Sequence, residues 1–355
     1  MNGIRDQIVA LEWVARHIAR FGGDPARVTI NGQSAGGEST CILMVSPLAH
    51  GLFSQMMAQS GECLGPWGPQ NQTQGFESSA GLMKSLGVST LAGLKELPPE
   101  RIVTAGGSFY AVDGHVMPSM PVERWAGKEP AFNTKRMMLG SVSIDAMQGP
   151  GPTLWPLFSM NLTGTPPPVL MGESFGPNFA AVEEQYPLSR FDGASVLAVA
   201  RPDSDWDVGC PMVGMADLLT AAGGEAYFYV FGCGSGFCSH GYELPFVFGN
   251  GAVAGFPGPQ VPTLTGPYDP KFADLTMELW AAFVKTGNPT PPGTVGPAWP
   301  RFSTGWWGEK PSGAGVPGMY LGGGKAVPHG APAAPVGAMT PAVCKFWQAY
   351  NPFAR

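Results

Sequence analysis

The chain has 355 residues, enough for one large domain or two average ones and for a substantial core. Apolar residues make up 44% and charged residues only 13%, so the composition argues for a globular protein with a poorly charged surface. The net charge is −6 without a Lys/Arg cluster, which argues against nucleic acid and anionic membranes as partners. No apolar run reaches the ~18 residues of a membrane helix. The first twenty residues carry Asp6 and Glu12 and lack the compact apolar run of a signal peptide.

In chain order, Ile8, Leu11, Val14, Ala15 and Ile18 fall three or four apart and predict an amphipathic helix, stopped by Gly22-Gly23-Asp24-Pro25. Val28-Thr29-Ile30 reads as a short buried strand. A tight turn at 32–37 leads into a second helix ending near Val45. Further strands are expected at Phe53–Gln59, Arg136–Leu139 and Glu225–Phe231. Helices are expected across 76–105, with turns at Gly87 and Pro98-Pro99, then at Met212–Ala221 and Lys271–Thr286. The Gly, Pro and Met content of 146–200 suggests a lid or subdomain, and 304–342 reads as largely irregular. Strands alternating with helices imply an α/β protein with a mostly parallel sheet covered on both faces.

Gly32-Gln33-Ser34-Ala35-Gly36 fits the turn that presents a nucleophilic serine between a strand and a helix. Gly172-Glu173-Ser174-Phe175-Gly176 fits the same pattern. Context separates them, because Ser174 follows three prolines and precedes Pro177, which discourages a helix. The local pattern alone leaves Ser34 open between a nucleophile and an inert Gly-rich turn. His17, His50, His115 and His329 sit in no catalytic pattern, and no cluster with metal-ligand spacing or cofactor motif is present.

Longer stretches carry a resemblance. GIRDQIVALEWVARHIARFGGDPARVTINGQSAGGEST and SPLAHGLFSQMMAQSG resemble the type-B carboxylesterase/cholinesterase family. AVDGHVMPSMP, MMLGSVSIDA, DSDWDVGCP, HGYELPFVFG, LWAAFVKTGNP, WPRF and CKFW follow in the family's order. The resemblance implies an α/β-hydrolase fold over 1–355, as the C-terminal portion of a catalytic domain. It implies Ser34 as nucleophile, His240 as general base and Asp145 as the acid, where Glu is more usual. Ala35 would supply one oxyanion N–H, and Ser60 and Glu243 resemble residues that help position the histidine. The implied activity is serine-dependent hydrolysis of a small-molecule or lipid carboxylic ester, without a cofactor.

The resemblance also implies a Cys210–Cys344 disulfide, which closes a loop worth about 4–5 kcal/mol in a chain-entropy argument. Cys233 and Cys238 are left open between paired and free, and Cys41 reads as a small buried hydrophobe. A secreted or extracellular setting would suit the family and the cysteines. The family's first strands and its HGGG-type oxyanion loop have no counterpart here, so the chain reads as truncated and β-strand 28–30 as an exposed apolar edge. Two rival functions follow: a catalytically dead esterase-like fragment, or a non-catalytic adhesion or binding protein of the same fold.

Overall fold

A computed structural model of the protein describes residues 1–66, 68–106, 110–126, 132–145, 175, 179–191, 195–232, 240–251, 268–294, 297–303, 318–322, 325–328 and 341–350. The six strands among these form one sheet in sequence order. They are β1 Thr29–Gln33, β2 Gln55–Gln59, β3 Arg136–Val142, β4 Glu225–Phe231, β5 Met319–Gly322 and β6 Lys325–Pro328. β1 to β5 pair in parallel, and β6 returns antiparallel to β5. Parallel strands need crossovers, and the helices that supply them cover the sheet.

The middle strands are apolar on both faces, and their alternation sorts the core into two layers. In β4, Ala226, Phe228 and Val230 join one cluster while Tyr227, Tyr229 and Phe231 join the other. In β2 and β3 methionines do this work: Met56 and Met137 point one way, Met57 and Met138 the other. Unbranched thioethers fill uneven gaps between sheet and helix. On the first face lie α1 Asn2–His17, α2 Ala35–Val45 and, after the helices α3 Gln72–Ser85, α4 Leu91–Lys95 and α5 Pro99–Thr104 and the turn of helix α6 Pro121–Trp125, also α7 Phe179–Gln185, α8 Ser195–Ser204 and α9 Cys210–Ala221. The second face is covered by α10 Leu244–Phe248 and α11 Pro270–Thr286, whose Phe272, Leu279, Trp280 and Phe283 are buried. α12 Pro341–Tyr350 closes the described chain.

The helix ends follow local chemistry. Asp269 caps α11 by accepting from the Lys271 and Phe272 N–H groups, and Gly287 ends it in the left-handed conformation at φ 75°. Asn71 and Gln74 form a reciprocal capping box at α3.

Three expectations need correction. The span 304–342 is not uniformly irregular, because β5 and β6 lie within it; runs of four residues flanked by glycine give too little alternation to read. Cys41 is buried but is no free thiol, since it is bonded to Cys63 with their Cα atoms 6.2 Å apart. β1 has one neighbour among the described strands, yet Ile30 is buried in the core, so the edge exposes polar Asn31 instead of an apolar row. Of the expected lid at 146–200, α7 and the start of α8 are described, while 146–174 and Ser174 within it lie outside the described residues, as do Cys233, Cys238 and His329. Among the described residues no helix is long and apolar enough to cross a membrane.

Candidate active site

The site begins with backbone strain. β1 ends at Gln33 and α2 begins at Ala35, so a single residue must reverse the chain. That residue is Ser34, at φ 59° and ψ −128°, a region that non-glycine residues rarely occupy. The turn is tight enough that a Cβ on Gly32 would lie 2.1 Å from the backbone of Gly36. This close approach explains the motif's first glycine, because any side chain there would open the turn.

The neighbouring strand supports the elbow. The Ser34 N–H donates to the Gln59 carbonyl at 2.9 Å, where β2 ends. Beyond it Ser60 also holds a positive φ of 46°, and its N–H donates to Gly140 in β3. Gly61 then packs on the elbow so closely that a Cβ would fall 2.2 Å from the Ser34 carbonyl oxygen.

β3 leads to Asp145, the residue expected as the acid. Asp145, just past its end, is fully buried, and its Oδ1 lies 2.6 Å from His240 Nδ1. Its Oδ2 accepts from the Val142 N–H at 3.2 Å, and its own N–H donates to Ser204 Oγ at 2.7 Å. Ser204 belongs to the Asp-Ser-Asp-Trp-Asp segment, where α8 passes into a π-helical turn, Asp205–Gly209, before α9. The wider turn brings Asp207 and Val208 to the site. Arg201 anchors the segment, pairing with Asp205 at 2.6 Å and donating to the Ser143 carbonyl at 2.8 Å.

Ser34, Asp145 and His240 therefore come together from β1, β3 and the segment after β4, and all line one cavity of about 180 Å³. Ala35, Ser60 and Glu62 share its wall. Ala35 opens α2, where first-turn N–H groups have no partner within the helix and the dipole favours negative charge. In this resting geometry His240 Nε2 faces the side-chain nitrogen of Gln33 at 3.0 Å, not the Ser34 hydroxyl. A donor on Nε2 and a carboxylate on Nδ1 select the neutral tautomer with its proton on Nδ1.

Electrostatics set the proton affinities. Burial disfavours the His240 imidazolium, but the Asp145 charge and hydrogen bond, with the Glu243 charge, outweigh it and raise the pKa above the usual imidazole value. Burial, reinforced by the Asp145 charge, pushes Glu243 up to about 7. Burial, with the Glu62 charge beside it, pushes Glu38 up to about 9.

Of the two residues expected to steady the histidine, neither bonds to it directly. Glu243 accepts from Gln59 Nε2 at 3.2 Å, and Trp280 Nε1 donates to the other end of Gln59 at 3.3 Å. The Ser60 hydroxyl is buried without a hydrogen-bond partner among the described residues. Gln33 is the contact that sequence reasoning missed, although its place as the variable residue of Gly-x-Ser put it beside Ser34. Cys210 and Cys344 are bonded, with Cα atoms 5.1 Å apart, and tie the end of the π-helical turn to α12.

A serine at a strand–helix elbow followed in chain order by acid and histidine, on a largely parallel sheet, defines the α/β-hydrolase class. The profile of the carboxylesterase family matches residues 2–148 and 179–308, and the chain belongs to that family. Carboxylesterase 1C of Rattus norvegicus is 31% identical over 330 residues, covering 84% of this chain and 57% of the relative. Liver carboxylesterase of Sus scrofa is 29% identical over 346 residues, covering 84% and 58%. Carboxylesterase 1C of Mus musculus is 28% identical over 331 residues, covering 84% and 57%. The chain thus spans a little under three-fifths of the length of these relatives.

Proposed function

We propose that this chain hydrolyses carboxylic esters through an acyl-enzyme on Ser34. The observation that carries the reading is the 2.6 Å contact of His240 Nδ1 with buried Asp145, in a cavity shared with a serine held at strained φ. On substrate binding, His240 Nε2 leaves the Gln33 amide and takes the Ser34 proton as Oγ attacks the ester carbonyl. Asp145 stabilises the resulting imidazolium and keeps the ring in orientation. The oxyanion accepts from the Ala35 N–H at the start of α2. Collapse expels the alcohol, which takes the proton back from His240. Water, deprotonated by the same histidine, then releases the carboxylic acid and restores Ser34.

The test is turnover of a short-chain 4-nitrophenyl ester by the wild type and by Ser34→Ala. Loss of about a thousandfold or more in kcat is expected from removing a nucleophile. Equal turnover by a folded Ser34→Ala protein would refute the assignment. A folded wild type with no turnover would favour a binding role for the same fold.

A further inference from the structure

The Cys41–Cys63 disulfide lies behind the reacting serine and ties together the two segments that shape its cavity. Cys41 sits on α2, two helical turns beyond Ser34, and is fully buried. Cys63 follows Ser60-Gly61-Glu62 directly and is 2% exposed. Those three residues line the cavity together with Ser34 and His240. Their near end is fixed by β2, whose Gln59 carbonyl holds the Ser34 N–H. At the far end Glu62 accepts from the Leu64 and Gly65 N–H groups at 2.5 Å each, which curls the chain back on itself. Between the two ends, Gly61 presses on the Ser34 carbonyl, and a Cβ on Gly37 in α2 would meet Gly61 Cα at 2.8 Å.

Two non-glycine residues here, Ser34 and Ser60, hold positive φ. Such conformations persist only where the surroundings over-determine them. Hydrogen bonds secure the β2 side of the wall, and the covalent bond at Cys63 secures the other.

We propose that the Cys41–Cys63 disulfide is a positioning element of the active site, locking the Ser60–Glu62 wall against the nucleophile elbow so that Ser34 Oγ stays in reacting register. This rests on the reading of Ser34 as nucleophile. The bond acts on the rate at each site, beyond its contribution to holding the fold.

The experiment compares the wild type with Cys41→Ala/Cys63→Ala, using a 4-nitrophenyl alkylphosphonate. Ser34 Oγ forms a bond to phosphorus, and 4-nitrophenolate leaves and is counted. The burst amplitude gives the number of competent sites and its rate gives reactivity per site. The expected result is a near-full burst amplitude with a rate reduced on the order of ten- to a hundredfold, as small misplacements of a reacting group produce. kcat for an ester should fall in parallel, with KM moving less than about twofold, since uniform binding is untouched.

A purely structural bond would lower the amplitude and leave the rate of each remaining site unchanged, and that result overturns the proposal. Cys63→Ala alone, which leaves the Cys41 sulfur in the core packing, serves if the double variant does not fold. Loss of the fold in both variants would also overturn the proposal, by making the bond a condition of folding. Failure of the wild type to react at Ser34 would instead sink the nucleophile assignment itself. A reactive wild type with an unchanged per-site rate in the variant would sink only the tether.

Discussion

At the scale of single residues, the site reads as a histidine held between two competing partners. Asp145 sits on Nδ1 and the Gln33 amide on Nε2. Asp145→Asn preserves shape but favours the tautomer that cannot accept from Ser34. kcat/KM should drop on the order of a thousandfold or more with the fold intact by circular dichroism. Gln33→Glu would place a carboxylate beside the imidazole, so the acid limb of the pH–kcat/KM profile should move up by about one unit. In the wild type that limb should already lie above the usual imidazole value, with activity rising as His240 loses its proton.

Glu243 gives a stability prediction of defined sign. Its folded-state pKa of about 7 exceeds the ordinary 4.5, so the folded state holds a proton that the unfolded state has released. The contribution is full below pH ~4.5 and is lost as pH rises towards about 7. Glu243→Gln keeps the neutral form and should therefore flatten the fall in Tm between pH 5 and pH 8. An unchanged slope would mean that Glu243 does not carry this titration.

At the scale of elements, the elbow was legible because its demands are local. A β-branched strand, two close glycines and a helix-forming run are contiguous in sequence and made the turn readable, while the role of Ser34 stayed open until the longer resemblance assigned it. Gly32→Ala tests the steric reading. With 2.1 Å available to a Cβ, the turn must open, and both Tm and turnover should fall together. A stable, active Gly32→Ala protein would show that the turn tolerates a wider path.

Asp145 and His240 were legible only through resemblance, since the contact joins residues 95 apart. The Cys41–Cys63 pair was missed for a related reason: its partners lie on α2 and beyond β2, and pairing depends on how closely those elements pack. β5 and β6 escaped because their strand order is set by the hairpin register Tyr320–Val327, not by any pattern within four residues.

At the scale of the whole molecule, the parallel sheet and its two-faced core follow from apolar strands separated by amphipathic helices. β4 was placed at Glu225–Phe231 from sequence, and the structure puts it there. A strand alternating Phe228 and Tyr229 into opposite layers ties both halves of the core together. Phe228→Ala should cost about 3–5 kcal/mol in denaturant unfolding, the range for aromatic deletions in a packed core. The Cys210–Cys344 bond closes a sequence separation of 134, so Cys210→Ala/Cys344→Ala should lower stability by up to about 5 kcal/mol. The packing of α1 against α2 was not evident from strand composition. Ile4 and Ile8 of α1 join the core cluster that also holds α2 and Ile30 of β1, which leaves Val9, Trp13 and Phe21 exposed.

On the proposed mechanism Ser34 carries the covalent intermediate. Rapid acid quench during turnover of a 4-nitrophenyl ester, followed by peptide mass analysis, tests it directly. The expected result is an acyl group on the peptide containing Ser34, absent from Ser34→Ala and longer-lived in Asp145→Asn. Ester turnover with no acyl group on Ser34, or with the same acylated peptide recovered from Ser34→Ala, would contradict it.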